Sequence, residues 1–296
     1  MIIPHELKTE YPFSSHFFNL DNEENKLHYI DIGESKNPGE AIVMLHGNPT
    51  WSFFYRNLAK HFSHINNRII VPDHLGCGLS DKPQDYDYSL ENHIENVVSL
   101  VKKLNLTKIT LIVHDWGGAI GMGLATRHPE LINKIIVMNT AAFRSLEIPL
   151  RINILRNPVG EWFIRSFNGF AGPATTMAVT KKLSPLVKKG FLLPYDTYET
   201  RIATAKFVRD IPMSEDHPTY KTLATIEEKL KTLNDLKIPV LILWGEKDFC
   251  FTMNFQRKWL EFFPNAKVRT YKDAGHYLLE DKTSEVISEI ESFLKN

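Results

Sequence analysis

Cysteine is nearly missing from this chain: Cys77 and Cys250 are the only two in 296 residues, and no CxxC or Cys/His ligand spacing surrounds them. That excludes a disulfide framework and a cysteine-based zinc site, and two isolated thiols fit a reducing compartment. Excess charge is missing too. Lys+Arg and Asp+Glu stand at 35 each, so no net field recruits nucleic acid or an anionic membrane. Nowhere do about 18 apolar residues run together, as a membrane span needs, and the stretch Met1-Ile2-Ile3-Pro4-His5-Glu6-Leu7-Lys8 is too polar for a signal peptide. Internal repeats, low-complexity tracts and charged tails are also lacking. These gaps lead us to expect a cytoplasmic protein acting on a small, uncharged or apolar molecule.

What is present is a regular alternation. Strand-like runs at 27–32, 41–45, 67–71, 109–113, 135–138, 240–243 and 268–271 are separated by helical stretches. One of these, 90–104, carries Ile94, Val97, Val98 and Val101 on one face, and another covers 285–294. Strands separated by helices predict an α/β fold, a mostly parallel central sheet with helices on both faces. The alternation stops between 141 and 225, where the chain is rich in aromatics, Pro and Lys and has helical periodicity at 159–170 and 198–208. We expect a helical cap there, inserted after the sixth core strand, with the core domain formed by 1–140 and 226–296. It would cover the carboxyl ends of the strands, where open α/β sheets bind ligands. Eighteen Phe exceed what a minimal core needs, and Trp162, Phe163, Phe167, Phe170 and Phe207 are candidate pocket walls. Packing between cap helices is the plainer reading for each, as ion pairing within the cap is for Arg165, Arg201 and Arg209.

The stretch His114-Asp115-Trp116-Gly117-Gly118 follows the apolar run 109–113 directly and reads as a strand entering a tight turn that opens a helix. A carboxylate stands at the apex, where hydrolases with this turn usually carry serine. Aspartate suits attack on a saturated carbon, because its ester can be hydrolysed at the enzyme's own carboxyl carbon. The plainer reading is an Asp N-cap. A nucleophile needs a base, and a base needs an orienting partner. Asp273-Ala274-Gly275-His276-Tyr277 supplies a loop histidine after one strand, and Trp244-Gly245-Glu246-Lys247-Asp248 supplies an acid after another. Asp115, Asp248 and His276 then fall in the order nucleophile, acid, histidine of the α/β-hydrolase fold. Glu246 and Asp273 are expected to be structural. The turn His46-Gly47-Asn48-Pro49-Thr50-Trp51 follows a further strand at the oxyanion-hole position. Asn48 adds an amide donor there and Trp116 an indole N–H, a pair suited to an atom that gathers charge as it leaves carbon. No metal or organic cofactor is needed.

The run 46–56, HGNPTWSFFYR, together with VHDWGG, resembles the haloalkane dehalogenases of the α/β-hydrolase superfamily. That resemblance implies Asp115 as the residue that displaces halide, Asn48 and Trp116 as its holders, and His276 as the activator of water. A major branch takes its orienting acid as a glutamate just after the sixth strand, where this chain has Asn139-Thr140-Ala141-Ala142-Phe143, so the acid falls to Asp248. Within the insertion, 139–143 (NTAAF), 160–170 (GEWFIRSFNGF), Pro194-Tyr195-Asp196 and 206–212, with 273–282 (DAGHYLLEDK) beyond it, look most like the β-lactone decarboxylases of bacterial olefin biosynthesis. That likeness runs from about Leu27 to Leu294. It implies conversion of a cis-3,4-dialkyl-oxetan-2-one to a cis-alkene and CO2, and a place beside thiolase and synthetase enzymes in an assembly. Attack on the lactone's carbonyl carbon and on its alkoxy carbon are both compatible with these residues. Haloalkane dehalogenation is the alternative activity. Epoxide hydrolysis would call for cap tyrosines such as Tyr195, Tyr198 and Tyr220, and a non-catalytic receptor would be expected to carry Ser at position 115.

Overall fold

The computed structural model describes residues 3–20, 24–65 and 67–295. Eight strands form one sheet: β1 (His16–Asn19), β2 (Lys26–Ile32), β3 (Glu40–Leu45), β4 (Ile69–Pro72), β5 (Lys108–Asp115), β6 (Ile132–Thr140), β7 (Val240–Gly245) and β8 (Lys267–Tyr271). Their order is β1-β2-β4-β3-β5-β6-β7-β8; the pairs involving β2 are antiparallel and the rest parallel. β5 lies in the middle and is buried from Ile109 to Asp115, which is why it reads as an unbroken apolar run and not as an alternation. The seven strands expected from sequence are all present. β1 is the additional one, a four-residue edge strand whose burial alternates between half-buried and exposed.

Helices cover both faces. α1 (Arg56–Ser63) follows β3, α2 (Leu90–Lys103) follows β4, and α3 (Trp116–Arg127) springs directly from β5. The Ser89 side chain caps α2 by accepting from the Asn92 N–H. Six helices lie between β6 and β7: α4 (Leu150–Ile154), α5 (Pro158–Phe167), α6 (Ala171–Met177), α7 (Pro185–Leu192), α8 (Ile202–Arg209) and α9 (Pro218–Asp235). α10 (Met253–Phe262), α11 (Leu278–Asp281) and α12 (Thr283–Lys295) complete the chain. Leu111, Val113, Ile94, Ile226 and Trp259 belong to one buried layer, Met44, Ile112, Phe62 and Ile290 to the other. α9 is a single helix across residues 225 and 226, and it packs on α2 and α3 of the sheet layer. No helix among the described residues is long and apolar enough to cross a membrane.

Candidate active site

The turn after β5 is tight because glycines remove every obstacle to it. A Cβ at Gly117 would strike the Leu45 carbonyl, and one at Gly118 the Thr140 side chain. Asp115 sits at the apex with φ 51° and ψ −129°, a conformation that stores about 1–3 kcal/mol of strain in a non-glycine residue. The Thr140 hydroxyl donates to the Asp115 carbonyl and steadies the turn. The carboxylate does not cap α3. Its Oδ1 instead accepts from the Asn48 backbone N–H at 2.6 Å, and the nearby Trp116 backbone N–H also favours the charged carboxylate. Both donors and the positive end of α3 therefore bear on the carboxylate, so charge on Oδ1 is stabilised while Oδ2 stays open.

Oδ2 faces His276 Nε2 at 3.7 Å, beyond hydrogen-bonding range. The other ring nitrogen, Nδ1, lies 2.7 Å from Asp248 Oδ2. Asp248 is surrounded by donors. Oδ1 accepts from the backbone N–H groups of Cys250 (2.6 Å) and Phe251 (3.1 Å), and Oδ2 also accepts from Asn139 Nδ2 at 3.0 Å. Nδ1 must then carry the proton it gives to Asp248, and Nε2 is turned toward Asp115. Burial opposes a charged imidazole, but the carboxylates of Asp248 and Asp115 outweigh it and raise the His276 pKa. Burial likewise raises the Asp115 pKa, against the pull of His276 and the two backbone donors.

Sequence reasoning brought Asp115, Asp248, His276, Asn48 and Trp116 forward, and the structure gathers all five at the carboxyl ends of β3, β5, β7 and β8. Glu246 and Asp273 lie outside the cluster, with Asp273 paired to Lys282 at 2.8 Å. In sequence Asn139 stands where a major branch of the dehalogenases carries a glutamate, with no role of its own. At the end of β6 the pairing with β5 skips it, its φ is 33°, and this bulge aims its amide at Asp248 and the Gly245 carbonyl. His114 was missed as well: its ring lies 4.5 Å from the His276 ring, and its Nε2 bonds the His276 carbonyl at 2.9 Å. Burial pushes its pKa well down, so it stays neutral beside the second imidazole. Phe251 also stacks on His276.

Above these groups lies a cavity of about 520 Å³, mostly apolar above its floor, with the polar residues Ser145, Glu147, Arg151 and Thr219 also in its lining. Phe143, Phe255, Leu223 of α9, Phe170 and Ala174 are among its lining. Of the expected aromatic walls, Phe163 and Phe170 line the cavity while Trp162 and Phe167 do not. Phe207 is fully buried between Trp116 and His93. Arg165 and Arg209 pair with Glu161, and Arg201 donates to the Tyr195 and Arg165 carbonyls, so none of the three faces the cavity. Tyr195, Tyr198 and Tyr220 do not line it either. Asn48 does, with one amide N–H given to the Thr204 carbonyl at 3.1 Å and its Oδ1 buried without a hydrogen-bond partner. The opposite amide orientation would set two oxygens against each other, so the NH2 faces Thr204 and keeps a second donor in hand.

The family model for the alpha/beta hydrolase fold matches residues 40–283. The chain belongs to the α/β hydrolase fold family. This α/β hydrolase is 43% identical to a cis-3-alkyl-4-alkyloxetan-2-one decarboxylase of Shewanella oneidensis, over 97% of this chain and 90% of that protein. It is 28% identical to a haloalkane dehalogenase of Mycolicibacterium paratuberculosis, over 96% of this chain and 93% of the relative. Its fold superposes on the crystal structure of the haloalkane dehalogenase DbeA from Bradyrhizobium elkani USDA94 with a TM-score of 0.85, at 24% identity, covering 96% of this chain and 98% of that one.

The packing around Asp115 makes one prediction for this α/β hydrolase. A Cβ at Gly47 would fall on the Asp115 carboxylate. Gly47→Ala is expected to lower turnover by ~10²-fold, since displacements near 1 Å suffice for that, while circular dichroism shows the fold unchanged. Near-wild-type turnover would mean that the carboxylate position matters little.

Proposed function

We propose that this α/β hydrolase converts a cis-3,4-dialkyl-oxetan-2-one to a cis-alkene and CO2. Asp115 is the nucleophile, His276 and Asp248 are its charge partners, and Asn48 and Trp116 are donors to the leaving oxygen. The observation that carries the reading is an aspartate at the strand-to-helix apex, facing a His–Asp pair on the floor of an apolar cavity. The substrate class rests on the decarboxylase relative that is 43% identical.

The chemistry balances without water. Asp115 Oδ2 attacks the alkoxy carbon of the strained ring from behind; the ring C–O bond breaks, and its electrons leave on the new carboxylate. Asn48 and Trp116 receive that charge as it builds. The carboxylate then departs as CO2, its bonding electrons forming the C=C bond as the ester bond to Asp115 breaks. Inversion in the first step followed by anti elimination in the second keeps both alkyl groups on one side, so a cis-lactone gives a cis-alkene. Asp115 is regenerated as a carboxylate, and no proton is transferred. His276, whose charged form Asp248 favours, serves to keep the buried Asp115 ionised.

In this reading residues 141–225 act as the cap, with α9 carrying its return to the core of 1–140 and 226–296. The protein works in the cytoplasm beside the enzymes that build its lactone. The same pair of leaving-group donors favours haloalkane dehalogenation as the second activity. The deciding assay offers purified protein a cis-dialkyl β-lactone and a bromoalkane side by side, reading alkene by gas chromatography and bromide by ion detection. Alkene without bromide is expected, and bromide without alkene would overturn the lactone reading.

His276→Phe tests the water-free route. It is expected to keep releasing alkene through many turnovers, more slowly and with its acid limb shifted to higher pH, because Asp115 loses the cation that favours its ionised form. A single equivalent of product with a stable adduct on the Asp115 peptide in mass spectrometry would overturn the elimination step.

A further inference from the structure

We propose that the α4–α5–α6 face of this protein docks on an anionic lipid surface, with the mouth of the cavity at the centre of the contact. The proposal stands on the surface alone and holds whichever electrophile the site consumes.

The exposed apolar residues are concentrated in one stretch. Leu146, Leu150, Ile154, Val159, Trp162 and Phe167 are each more than half exposed, up to 78% at Leu146. Helical spacing explains their common face. Leu150 and Ile154 are four apart on α4, and Val159, Phe163 and Phe167 are four apart on α5, with Trp162 beside them. The opposite side of α5 is already used: Ile164 is fully buried against Ala205 and Val208 of α8. α5 is thus apolar on both sides, one facing the protein and one facing out.

The patch is continuous across the helices. The Trp162 and Phe163 rings both contact Phe167, at 5.4 and 5.6 Å, and Arg151 reaches from α4 to the Met177 sulfur at 3.9 Å on α6. Ile154, Phe163 and Met177 are exposed and also line the cavity, so the cavity reaches the surface between them. Patches of this kind mark interaction sites.

Charge selects the partner. Residues 146–189 contain seven Lys or Arg and two acids, Glu147 and Glu161, in a chain balanced at 35 of each sign, and Glu147 is held by Asn254. Glu161 is half-buried and occupied by Arg165, Lys206 and Arg209. Of the cations, Arg151, Lys181, Lys182 and Lys188 are exposed without an acidic partner among the described residues, while Lys189 pairs with Glu6. The global balance that argued against an anionic membrane therefore hides a local excess. Apolar and aromatic side chains on one helical face, within a basic segment, are what an interfacial contact with anionic lipid requires. An apolar cavity opening at that contact could draw its substrate from the bilayer and return an alkene to it without crossing water.

Vesicle flotation tests this with the intact protein and no substrate. The chain is expected to float with phosphatidylcholine–phosphatidylglycerol vesicles, less so at high salt, and poorly with phosphatidylcholine alone. Brominated lipid should quench tryptophan emission, and Trp162→Phe should remove that quenching. Trp162→Ser/Phe167→Ser, two residues outside the cavity lining, should bind the vesicles at least ~10-fold more weakly. Its circular dichroism and its turnover of a water-soluble short-chain substrate should match wild type. Failure to float, or flotation of the double variant like wild type, would overturn the proposal. So would light scattering that shows a dimer abolished by the double variant with no lipid binding, which would assign the face to a second copy of the chain.

Discussion

Asp115→Asn is expected to abolish turnover, by ~10⁴-fold or more, and to raise the melting temperature. Asparagine has the size of the native residue and tolerates positive φ, so the turn survives while the attacking oxygen loses its charge. The gain in stability follows from the sign of the pKa shift. Burial raises the Asp115 pKa, so folding disfavours its ionised form; the loss grows as pH climbs above the ordinary carboxylate value and is complete once pH has passed the folded one. At neutral pH the wild type bears that loss and the variant does not; an increase of about 2–4 °C is the expected size. Below the ordinary carboxylate range both folded and unfolded chains hold the proton, and the difference should vanish. Calorimetry at several pH values checks this, and a lower melting temperature in the variant at neutral pH would show that the carboxylate stabilises the fold.

The second large effect is expected at Asp248. All four groups bonded to this carboxylate are donors: two backbone N–H groups, the Asn139 amide and the His276 ring. In Asp248→Asn the new NH2 must face either the backbone pair or Asn139 and His276. The first choice leaves buried donors unpaired, which costs about 1–3 kcal/mol. The second drives the imidazole into the tautomer with its proton on Nε2. Turnover should fall by ~10²–10⁴-fold, with a smaller stability loss and a pH–rate profile whose acid limb moves up as Asp115 loses its neighbouring cation. An unshifted limb would mean that His276 does not govern the charge on Asp115. Asn139→Leu should show the same shift in weaker form.

The central strands β3 to β7 were legible because buried parallel strands print continuous apolar runs, β2 and β8 because their β-branched and aromatic residues sit between turn signals, and the turn at Asp115 because its glycines and carboxylate are adjacent in sequence. β1 was not, since an edge strand with half-exposed residues has no such signature. The roles of Asn139 and His114 are hidden in sequence for a different reason. Their partners, Asp248 and His276, lie 109 and 162 residues away, and no local pattern encodes a bond of that span. Trp162 and Phe167 are read as pocket walls because an apolar substrate needs apolar lining, but α5 has apolar residues on two sides of its Glu161–Arg165 face, and sequence alone does not say which side the core takes. The nearest sequence clue was the amphipathic partner helix α8, whose Ala205 and Val208 claim Ile164.

One helix limits how the molecule can be re-engineered. α9 rises from Pro218 and continues unbroken to Asp235, packed along its length on α2 and α3. A chimera that imports a foreign insertion with its seam at 225/226 would join two half-helices of unrelated sequence and strip apolar side chains such as Leu223 from the layer they fill. The natural seams are the irregular stretches after Thr140 and before Pro218. Grafts cut there carry only the part of the chain that shapes the cavity roof, and the native helix remains as the fixed post to which any new roof is tied.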